Sequence, residues 1–300
     1  MSKITKALEK AARERLQRAQ EPTAIIVPTA PVVVPVVTTR VSLGDIPVTT
    51  DVRVDAHIVS ATAAGSPIAE QYRILRANLQ SLRLRQGPKA IVVTSSVNGE
   101  GKSVTAINLA LALARQERCK VALVDADLRK GTVQKWLGLS DRAAGLSSVL
   151  RQGGELNGAL VHLQSPSLAV LPAGPHPGDP AELLESVAMK RLLALLKTEF
   201  DIILIDAPPV LPVADPGILA GQVDGVLFVV RAGKTQRKTV VEAQERLKRT
   251  KAALLGCVLT HMEYCLPGSR QYYHYYHHAK QSTGNHREPA AVEPDLGRRT

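Results

Sequence analysis

The sequence has few cysteines and few aromatic residues, and it contains no long apolar run. Its three cysteines, Cys119, Cys257 and Cys265, lack CxxC or paired metal-ligand spacing. This spacing supports neither a disulfide framework nor a zinc module, and it is typical of a protein of the reducing cytoplasm. No stretch reaches the roughly 18 apolar residues of a membrane span, and residues 1–20 lack the apolar segment of a signal peptide. We therefore expect a protein that neither crosses a membrane nor is exported by that route.

Positive charge exceeds negative charge, and the excess is concentrated in two segments. The net charge is +11, of which residues 1–20 carry +4 and residues 231–251 carry +6. Such segments bind nucleic acid, anionic lipid or acidic protein surfaces, but they are also common as solvated helix faces. Charge alone therefore identifies no partner. The chain has 300 residues and is 45% apolar, which excludes a wholly disordered protein.

Composition divides the chain into four predicted segments. Residues 1–20 have apolar residues at near-helical spacing and predict a cationic amphipathic helix that Pro22 ends. Residues 21–55 are rich in Pro, Val and Thr and predict a semi-extended linker. Residues 56–265 are predicted to form the folded domain. Residues 266–300 have no periodicity that would bury a face, which predicts a flexible tail.

Short apolar strands alternate with helical segments in the predicted folded domain. Strands are predicted at 90–95, 121–125, 168–173, 202–206, 225–230 and 254–260. Helices are predicted at 68–82, 102–116, 180–198, 214–222 and 237–250. This alternation predicts an α/β fold with three layers, in which a parallel sheet carries helices on both faces.

A glycine-rich turn follows the strand at 90–95 and leads directly into a helix. We call residues 96–103 the phosphate loop; the pattern GxxxxGK[ST] is met there, except that Ser96 replaces the first glycine. Backbone N–H groups and the helix dipole favour a phosphate in such a turn, with Lys102 reaching the β and γ phosphates and Ser103 ligating Mg²⁺. An ordinary glycine-rich loop between strand and helix is the alternative. The predicted nucleotide-binding residues are Asn98, Gly99, Glu100, Gly101, Lys102, Ser103 and Val104.

Three aspartates follow or end two of the other predicted strands. Asp125 and Asp127 lie in VDADLR, and Asp206 lies in IDAPP. Parallel strands end at one edge of a sheet, so these carboxylates should lie beside the phosphate loop. They can hold Mg²⁺ directly or through water, and one can accept a proton from a nucleophile, although any single one is also typical of a helix cap. The predicted metal ligands are Ser103, Asp125, Asp127 and Asp206.

With these motifs, the sequence resembles the bacterial tyrosine kinases (BY-kinases) of exopolysaccharide and capsule systems, over about residues 66–276. SSVNGEGKS resembles their Walker A motif, VALVDADLRKG their Walker A′ motif, and IILIDAPPV their Walker B motif, while YYHYYHH resembles their tyrosine-rich end. The most specific feature is the D-x-D-x-R sequence that ends at Arg129. The resemblance implies a P-loop fold of the superfamily that includes partitioning and septum-positioning ATPases, with ATP and Mg²⁺ as cofactors.

The resemblance further implies an autokinase that phosphorylates its own tail in trans and thereby regulates exopolysaccharide or capsule polymerisation and export. Five of the six tyrosines fall between positions 264 and 276. The implied acceptors are Tyr272, Tyr273, Tyr275 and Tyr276. The implied catalytic residues are Lys102, Asp125 and Asp127, with Asp125 as the first candidate for the base that takes the phenol proton.

Partners and location are also implied by the resemblance. Glu70, Arg73 and Arg76 match an E-x-x-R-x-x-R element that assembles subunits into a ring, and their spacing places them close to one helical face. A solvated charged face is the alternative. A transmembrane polysaccharide co-polymerase is the implied activator, together with other protein tyrosine substrates and a cognate phosphatase. We expect a cytoplasmic protein at the inner face of the cell membrane, and no nucleic-acid partner.

Two positions depart from the family pattern, and other readings stay open. Asn98 stands where many members have Pro, and Thr260 stands where relatives often carry an Asn near the adenine. One alternative is a partitioning or septum-positioning ATPase, although Val97 occupies the position of their extra lysine. Another is a non-catalytic nucleotide-binding scaffold. The histidines of the tail, His274, His277 and His278, offer a metal-binding alternative.

Overall fold

One eight-stranded sheet organises the part of the chain that the computed structural model describes. That part comprises residues 46, 48–49, 53–81, 89–117, 119–139, 144–152, 156–164, 167–250 and 252–262. The strands are β1 (Val48–Thr49), β2 (Lys89–Ser95), β3 (Val121–Asp125), β4 (Val161–Leu163), β5 (Leu168–Leu171), β6 (Ile202–Asp206), β7 (Gly225–Arg231) and β8 (Leu254–Thr260). Their order in the sheet is β1-β4-β5-β3-β6-β2-β7-β8. Neighbouring strands are parallel except for β4 and β5, which are antiparallel.

Helices connect the strands and cover the sheet. They are α1 (Val59–Thr62), α2 (Pro67–Ser81), α3 (Lys102–Ala114), α4 (Val133–Trp136), α5 (Leu146–Gln152), α6 (Leu156–Ala159), α7 (Pro180–Glu185), α8 (Val187–Glu199), α9 (Asp215–Ala220) and α10 (Arg237–Lys248). The predicted α/β fold, with a mostly parallel sheet between helical layers, is confirmed. No helix in the described ranges is long and apolar enough to cross a membrane.

Each face of the sheet carries its own hydrophobic core. Ala90 and Val92 of β2 belong to one core, whereas Ile91 and Val93 of the same strand belong to the other. This alternation arises because successive side chains of a strand point to opposite faces, and both faces are covered here. The second core includes α3, of which eleven of thirteen residues are buried. The helix that follows the phosphate loop is therefore held firmly against the sheet.

The predicted helix over residues 180–198 is wrong in one respect, because the structure has two helices there. Ser186 interrupts them with extended backbone angles, φ −59° and ψ 158°. Its hydroxyl accepts a hydrogen bond from the Met189 N–H at 3.2 Å and donates one to the Leu183 carbonyl at 2.7 Å. Ser186 therefore ends α7 and caps α8, which apolar periodicity alone does not reveal.

Two short strands extend the sheet beyond the predicted set. β1 pairs with β4 at Val48 and Thr49, and Ile46 just before it is 2% exposed. These residues belong to the stretch 21–55, whose composition predicts a linker. A two-residue strand has no detectable alternation, so the pattern does not predict it. The predicted helix at 1–20, the tail at 266–300 and most of the linker lie outside the described residues.

Candidate active site

The phosphate loop leaves the sheet at the end of β2, which lies between β6 and β7. Gly99 and Gly101 have φ angles of 81° and 93°, in the left-handed region that favours glycine. Gly101 is the N-cap of α3, and its carbonyl accepts the Thr105 N–H at 2.9 Å. The first N–H groups of a helix have no partner within the helix, so this turn presents donors and a positive dipole end to an anion.

Glu100 holds the loop from inside. Its side chain is buried, and its carboxylate accepts the Val97 N–H at 2.8 Å and the Thr235 hydroxyl at 2.5 Å. The Thr260 hydroxyl donates to the Glu100 carbonyl at 2.8 Å, and a Cβ on Gly101 would lie 3.3 Å from the Thr260 methyl group. Thr235 and Thr260 thus support the loop. Thr235 lies in the stretch FVVRAGKTQRKT, which resembles family sequence. That resemblance does not predict the hydrogen bond from Thr235 to Glu100.

Two other predicted nucleotide-binding residues have distinct surroundings. Val104 is half-buried and packs against the core on the α3 side of the sheet. Asn98 is exposed, and its side-chain oxygen lies 3.4 Å from the Lys130 ammonium. Asn98 therefore lies between the loop and the residues that follow β3, where it is open to solvent.

Lys102 lies at the centre of the predicted charged residues. Its ammonium nitrogen lies 2.8 Å from Asp127 Oδ2, 3.5 Å from Asp206 Oδ1 and 3.1 Å from the Ser103 hydroxyl oxygen. Asp125 and Asp206 are register partners on the neighbouring strands β3 and β6. The structure therefore brings together the five residues that the sequence predicts for metal binding and catalysis.

Burial and mutual repulsion shift the pKa values of this cluster. Burial raises the pKa of Asp125 to about 8, and the neighbouring Asp206 carboxylate adds to the increase. Burial also raises the pKa of Asp206, although Lys102 and Ser103 act in the opposite direction. For Lys102, burial would lower the pKa, but the carboxylates of Asp206 and Asp127 raise it overall. Three carboxyl groups share one ammonium here, so a cation bound in the site would favour the ionised form of all three and neutralise their excess negative charge.

The oxygen atoms of this cluster fit Mg²⁺. Asp206 Oδ2 is buried and has no hydrogen-bond partner among the described residues, and the Ser103 hydroxyl oxygen lies 3.1 Å from the Lys102 ammonium and 3.2 Å from the Thr132 hydroxyl. No group of three or more His, Cys, Asp or Glu side chains in the described ranges has the geometry of a complete metal site. This is compatible with Mg²⁺, which usually takes one or two carboxylates and completes its shell with phosphate oxygens and water.

The residues after β3 form an ordered turn, which we call the acidic turn, residues 125–133. Asp125 accepts the N–H groups of Asp127 at 3.2 Å and Val133 at 3.0 Å, one with each carboxylate oxygen. Asp127 Oδ1 accepts the Lys130 N–H at 3.2 Å, which leaves Oδ2 for Lys102. The turn therefore fixes the direction of the Asp127 carboxylate.

The charged residues of α2 are already engaged within the chain. Glu70 and Arg73 form an exposed ion pair, and Arg73 also donates to the Ala64 carbonyl at 2.8 Å. Arg76 donates to the carbonyl of Ala112 in the last turn of α3 at 2.9 Å. Arg76 thus caps the helix that carries Lys102, a role that the motif does not reveal. The tail residues Tyr272, Tyr273, Tyr275 and Tyr276 lie outside the described residues.

Comparisons with known proteins find relatives of this chain among nucleotide-binding domains and tyrosine-protein kinases. Residues 88–251, more than half of the chain, match the AAA domain family. The chain is 38% identical to tyrosine-protein kinase YwqD of Bacillus subtilis over 224 residues, covering 73% of this chain and 94% of the relative. It is 33% identical to tyrosine-protein kinase CpsD of Streptococcus agalactiae, covering 63% of this chain and 81% of the relative. The kinase domain of the Escherichia coli tyrosine kinase ETK superposes with a TM-score of 0.64 at 28% identity, covering 68% of this chain and 79% of that chain.

Proposed function

Since this chain belongs to the family of bacterial tyrosine-protein kinases, we propose that it transfers the γ-phosphoryl group of ATP to the tyrosines of its own C-terminal tail. The observation that carries this proposal is the position of Lys102, at the end of the phosphate loop and 2.8 Å from Asp127 and 3.5 Å from Asp206. Phosphoryl transfer depends on positioning and charge neutralisation, and this cluster provides both.

Each residue of the cluster has a proposed part in the transfer. Bound ATP with Mg²⁺ would supply the phosphoryl group and neutralise its developing charge. The phosphate loop would hold the phosphates, and Lys102 would bind their oxygens in place of its carboxylate partners. Ser103, Asp206 and Asp127 would hold the cation, either directly or through water.

Asp125 is our candidate for the base. It is fully buried, and burial raises its pKa to about 8, so its ionised form binds a proton more strongly than an exposed carboxylate does. A cation in the site would favour that ionised form. Asp125 would then accept the proton of the attacking phenol, whose ordinary pKa is about 10.

The proposed acceptors are Tyr272, Tyr273, Tyr275 and Tyr276, reached in trans in a ring of identical chains. Glu70, Arg73 and Arg76 would contribute to the contact between subunits. Phosphorylation of four clustered tyrosines adds about 6 to 8 negative charges, which would weaken a ring that needs neutral tails. This cycle would regulate polymerisation and export of an exopolysaccharide or capsule.

The proposed setting is the cytoplasm at the inner face of the cell membrane. A transmembrane polysaccharide co-polymerase would be the activator, a cognate phosphatase would reverse the modification, and other proteins would serve as tyrosine substrates. No nucleic acid is part of this proposal, and the cationic segment at residues 1–20 is a candidate contact with the membrane partner.

The test is to incubate the purified full chain with ATP and Mg²⁺ and to map phosphotyrosine by mass spectrometry. Wild-type protein should carry phosphate between Tyr272 and Tyr276, and the Lys102→Met variant should carry none. ATP hydrolysis without any phosphotyrosine, even after addition of membranes that contain the co-polymerase, would contradict the proposal and favour a switch ATPase.

A further inference from the structure

An ion pair with Asp215, a residue outside every motif that the sequence shows, also holds the acidic turn through Arg129. Arg129 donates from Nε to Asp215 Oδ2 at 2.8 Å and from Nη2 to Asp215 Oδ1 at 2.9 Å. Asp215 is fully buried as the first residue of α9, whereas the Arg129 side chain is 37% exposed. This two-bond arrangement matches the planar guanidinium to both carboxylate oxygens, so it fixes orientation as well as distance.

The contact joins the acidic turn to the helix that follows β6, the strand that ends at Asp206. Arg129 lies two residues after Asp127 in the acidic turn, and Asp215 lies nine residues after Asp206, in the helix that follows β6. From inside, the turn is fixed by the two hydrogen bonds that Asp125 accepts. From outside, the Arg129–Asp215 pair anchors the same turn against α9.

We propose that Asp215 is a positioning residue, which holds Arg129 so that the acidic turn directs Asp127 Oδ2 towards Lys102. This inference rests on the proposed function and adds a residue to it. Asp215 has no hydrogen bond to Lys102 or to the other aspartates of the cluster in the described part of the chain, so it acts through Arg129. Buried ion pairs often contribute little net stability, because desolvation offsets much of their attraction. We therefore assign to the Arg129–Asp215 pair the role of orienting the acidic turn rather than of stabilising the fold.

The effect on catalysis follows from the distances involved. Lys102 and Asp127 are 2.8 Å apart, within hydrogen-bond range, and a shift of about 1 Å at a catalytic group can lower a rate by about a hundredfold. The phosphate loop itself is held by Glu100, Thr235 and Thr260, none of which contacts Arg129. Loss of the pair should therefore lower turnover more than affinity for ATP.

The experiment compares Asp215→Asn and Arg129→Lys with a matched control, Asp224→Asn. Asp224 also forms an ion pair, with Lys197 at 2.8 Å, and accepts a backbone N–H, but it lies before β7, at the opposite edge of the sheet. ATP hydrolysis and phosphotyrosine formation are both measured in the full chain with Mg²⁺. Thermal unfolding and hydrogen exchange of residues 125–133 are measured on the same samples.

For Asp215→Asn we expect kcat to fall by about tenfold or more, with the KM for ATP changed by less than about threefold. Exchange of the amides in residues 125–133 should become faster, and Asp224→Asn should change neither kcat nor this exchange. Arg129→Lys keeps the charge but not the two-bond geometry, so it should lower kcat in the same direction. It also tests the inference if Asp215→Asn does not fold.

An unchanged kcat in folded Asp215→Asn or Arg129→Lys would overturn the inference. The inference would also be overturned if kcat fell in proportion to the loss of thermal stability in Asp215→Asn, Arg129→Lys and Asp224→Asn alike. If wild-type protein hydrolysed ATP without forming phosphotyrosine, the proposed function would fail, but the hydrolysis rates of the variants would still decide the role of Asp215.

Discussion

Asp125 and Asp206 stand side by side on neighbouring parallel strands, and both carboxylates are fully buried. Buried like charges repel each other, and Lys102 offers a compensating positive charge to this pair. Such an arrangement is unfavourable for folding and favourable for binding a cation with a polyphosphate. The buried carboxyl groups therefore lower the stability of the folded chain while they favour ligand binding, and this leads to the first prediction.

Replacement of Asp206 by Asn should increase stability while it removes activity. Folding raises the pKa of Asp206, so the ionised carboxylate is less favourable in the folded chain. Lys102 keeps Asp127 as its ion-pair partner, so a neutral isostere at Asp206 should raise the free energy of unfolding. Urea denaturation with a metal chelator measures this change. Phosphoryl transfer should fall by about a hundredfold or more, because the proposed Mg²⁺ site would lose a ligand.

Asp125→Asn is the matched control, and its stability should change in the opposite direction. Both Asp125 oxygens accept backbone N–H groups, from Asp127 and Val133. An amide NH₂ would face one of these donors, which should lower the free energy of unfolding by about 1–3 kcal/mol. Equal stability changes in the two variants would contradict this account of the cluster.

Thr235→Val should weaken ATP binding without abolishing turnover. Thr235 donates to the buried Glu100 carboxylate, which in turn holds the Val97 N–H in the phosphate loop. Loss of this hydrogen bond should raise the KM for ATP by about three- to tenfold, as steady-state kinetics would show. Thr198→Val removes a comparable hydroxyl, which donates to the Leu195 carbonyl in α8, and should leave the KM unchanged.

Arg76 and Glu70 of α2 should differ in how much they contribute to the free energy of unfolding. Arg76→Ala removes the cap on the Ala112 carbonyl at the end of α3 and should lower the free energy of unfolding by about 1–2 kcal/mol. Glu70→Ala breaks an exposed pair with Arg73 and should change it by less than about 0.5 kcal/mol. Chemical denaturation measures both values. If sedimentation shows that Glu70→Ala assembles like wild type, the proposed ring contact fails at that position.

Gly145→Ala should destabilise the fold, because two loops approach each other closely there. A Cβ on Gly145 would lie 2.3 Å from the Gly174 nitrogen and 2.5 Å from the Pro172 oxygen, so backbone would have to move. We expect a loss of about 2 kcal/mol or more in the free energy of unfolding. A Cβ on Gly158, which lies in α6, would have no atom within 4 Å. Thermal melts of Gly158→Ala should therefore show unchanged or increased stability.

The sequence predicts the central strands and the charged cluster because their signals are local. Uninterrupted apolar strands such as β6, followed by Asp206, and a glycine-rich turn before Lys102 have few other interpretations. The order of β2, β3 and β6 in a parallel sheet then brings their ends together. Ser186 is different, because the pattern over residues 180–198 fits one helix as well as two.

The supporting contacts could not be predicted, since they join positions far apart in the chain. Asp215 meets Arg129 across 86 positions, and Thr235 meets Glu100 across 135. Neither Asp215 nor Thr235 has a local pattern that distinguishes it from an ordinary cap or loop residue. The same holds for the stretch LPAGPHPGDPAELL, which resembles family sequence. The close approach of its Gly174 to Gly145 can be found only in the folded chain.

A mixing experiment tests the central claim most directly. One variant, Lys102→Met, keeps the tail tyrosines but lacks the proposed catalytic lysine. The other keeps Lys102 but has Phe in place of Tyr272, Tyr273, Tyr275 and Tyr276. With ATP and Mg²⁺, neither variant alone should acquire phosphate between positions 272 and 276. The mixture should acquire it on the Lys102→Met chains only. A mixture that hydrolyses ATP but leaves those tyrosines unmodified would contradict the claim that this site phosphorylates the tail of a neighbouring chain.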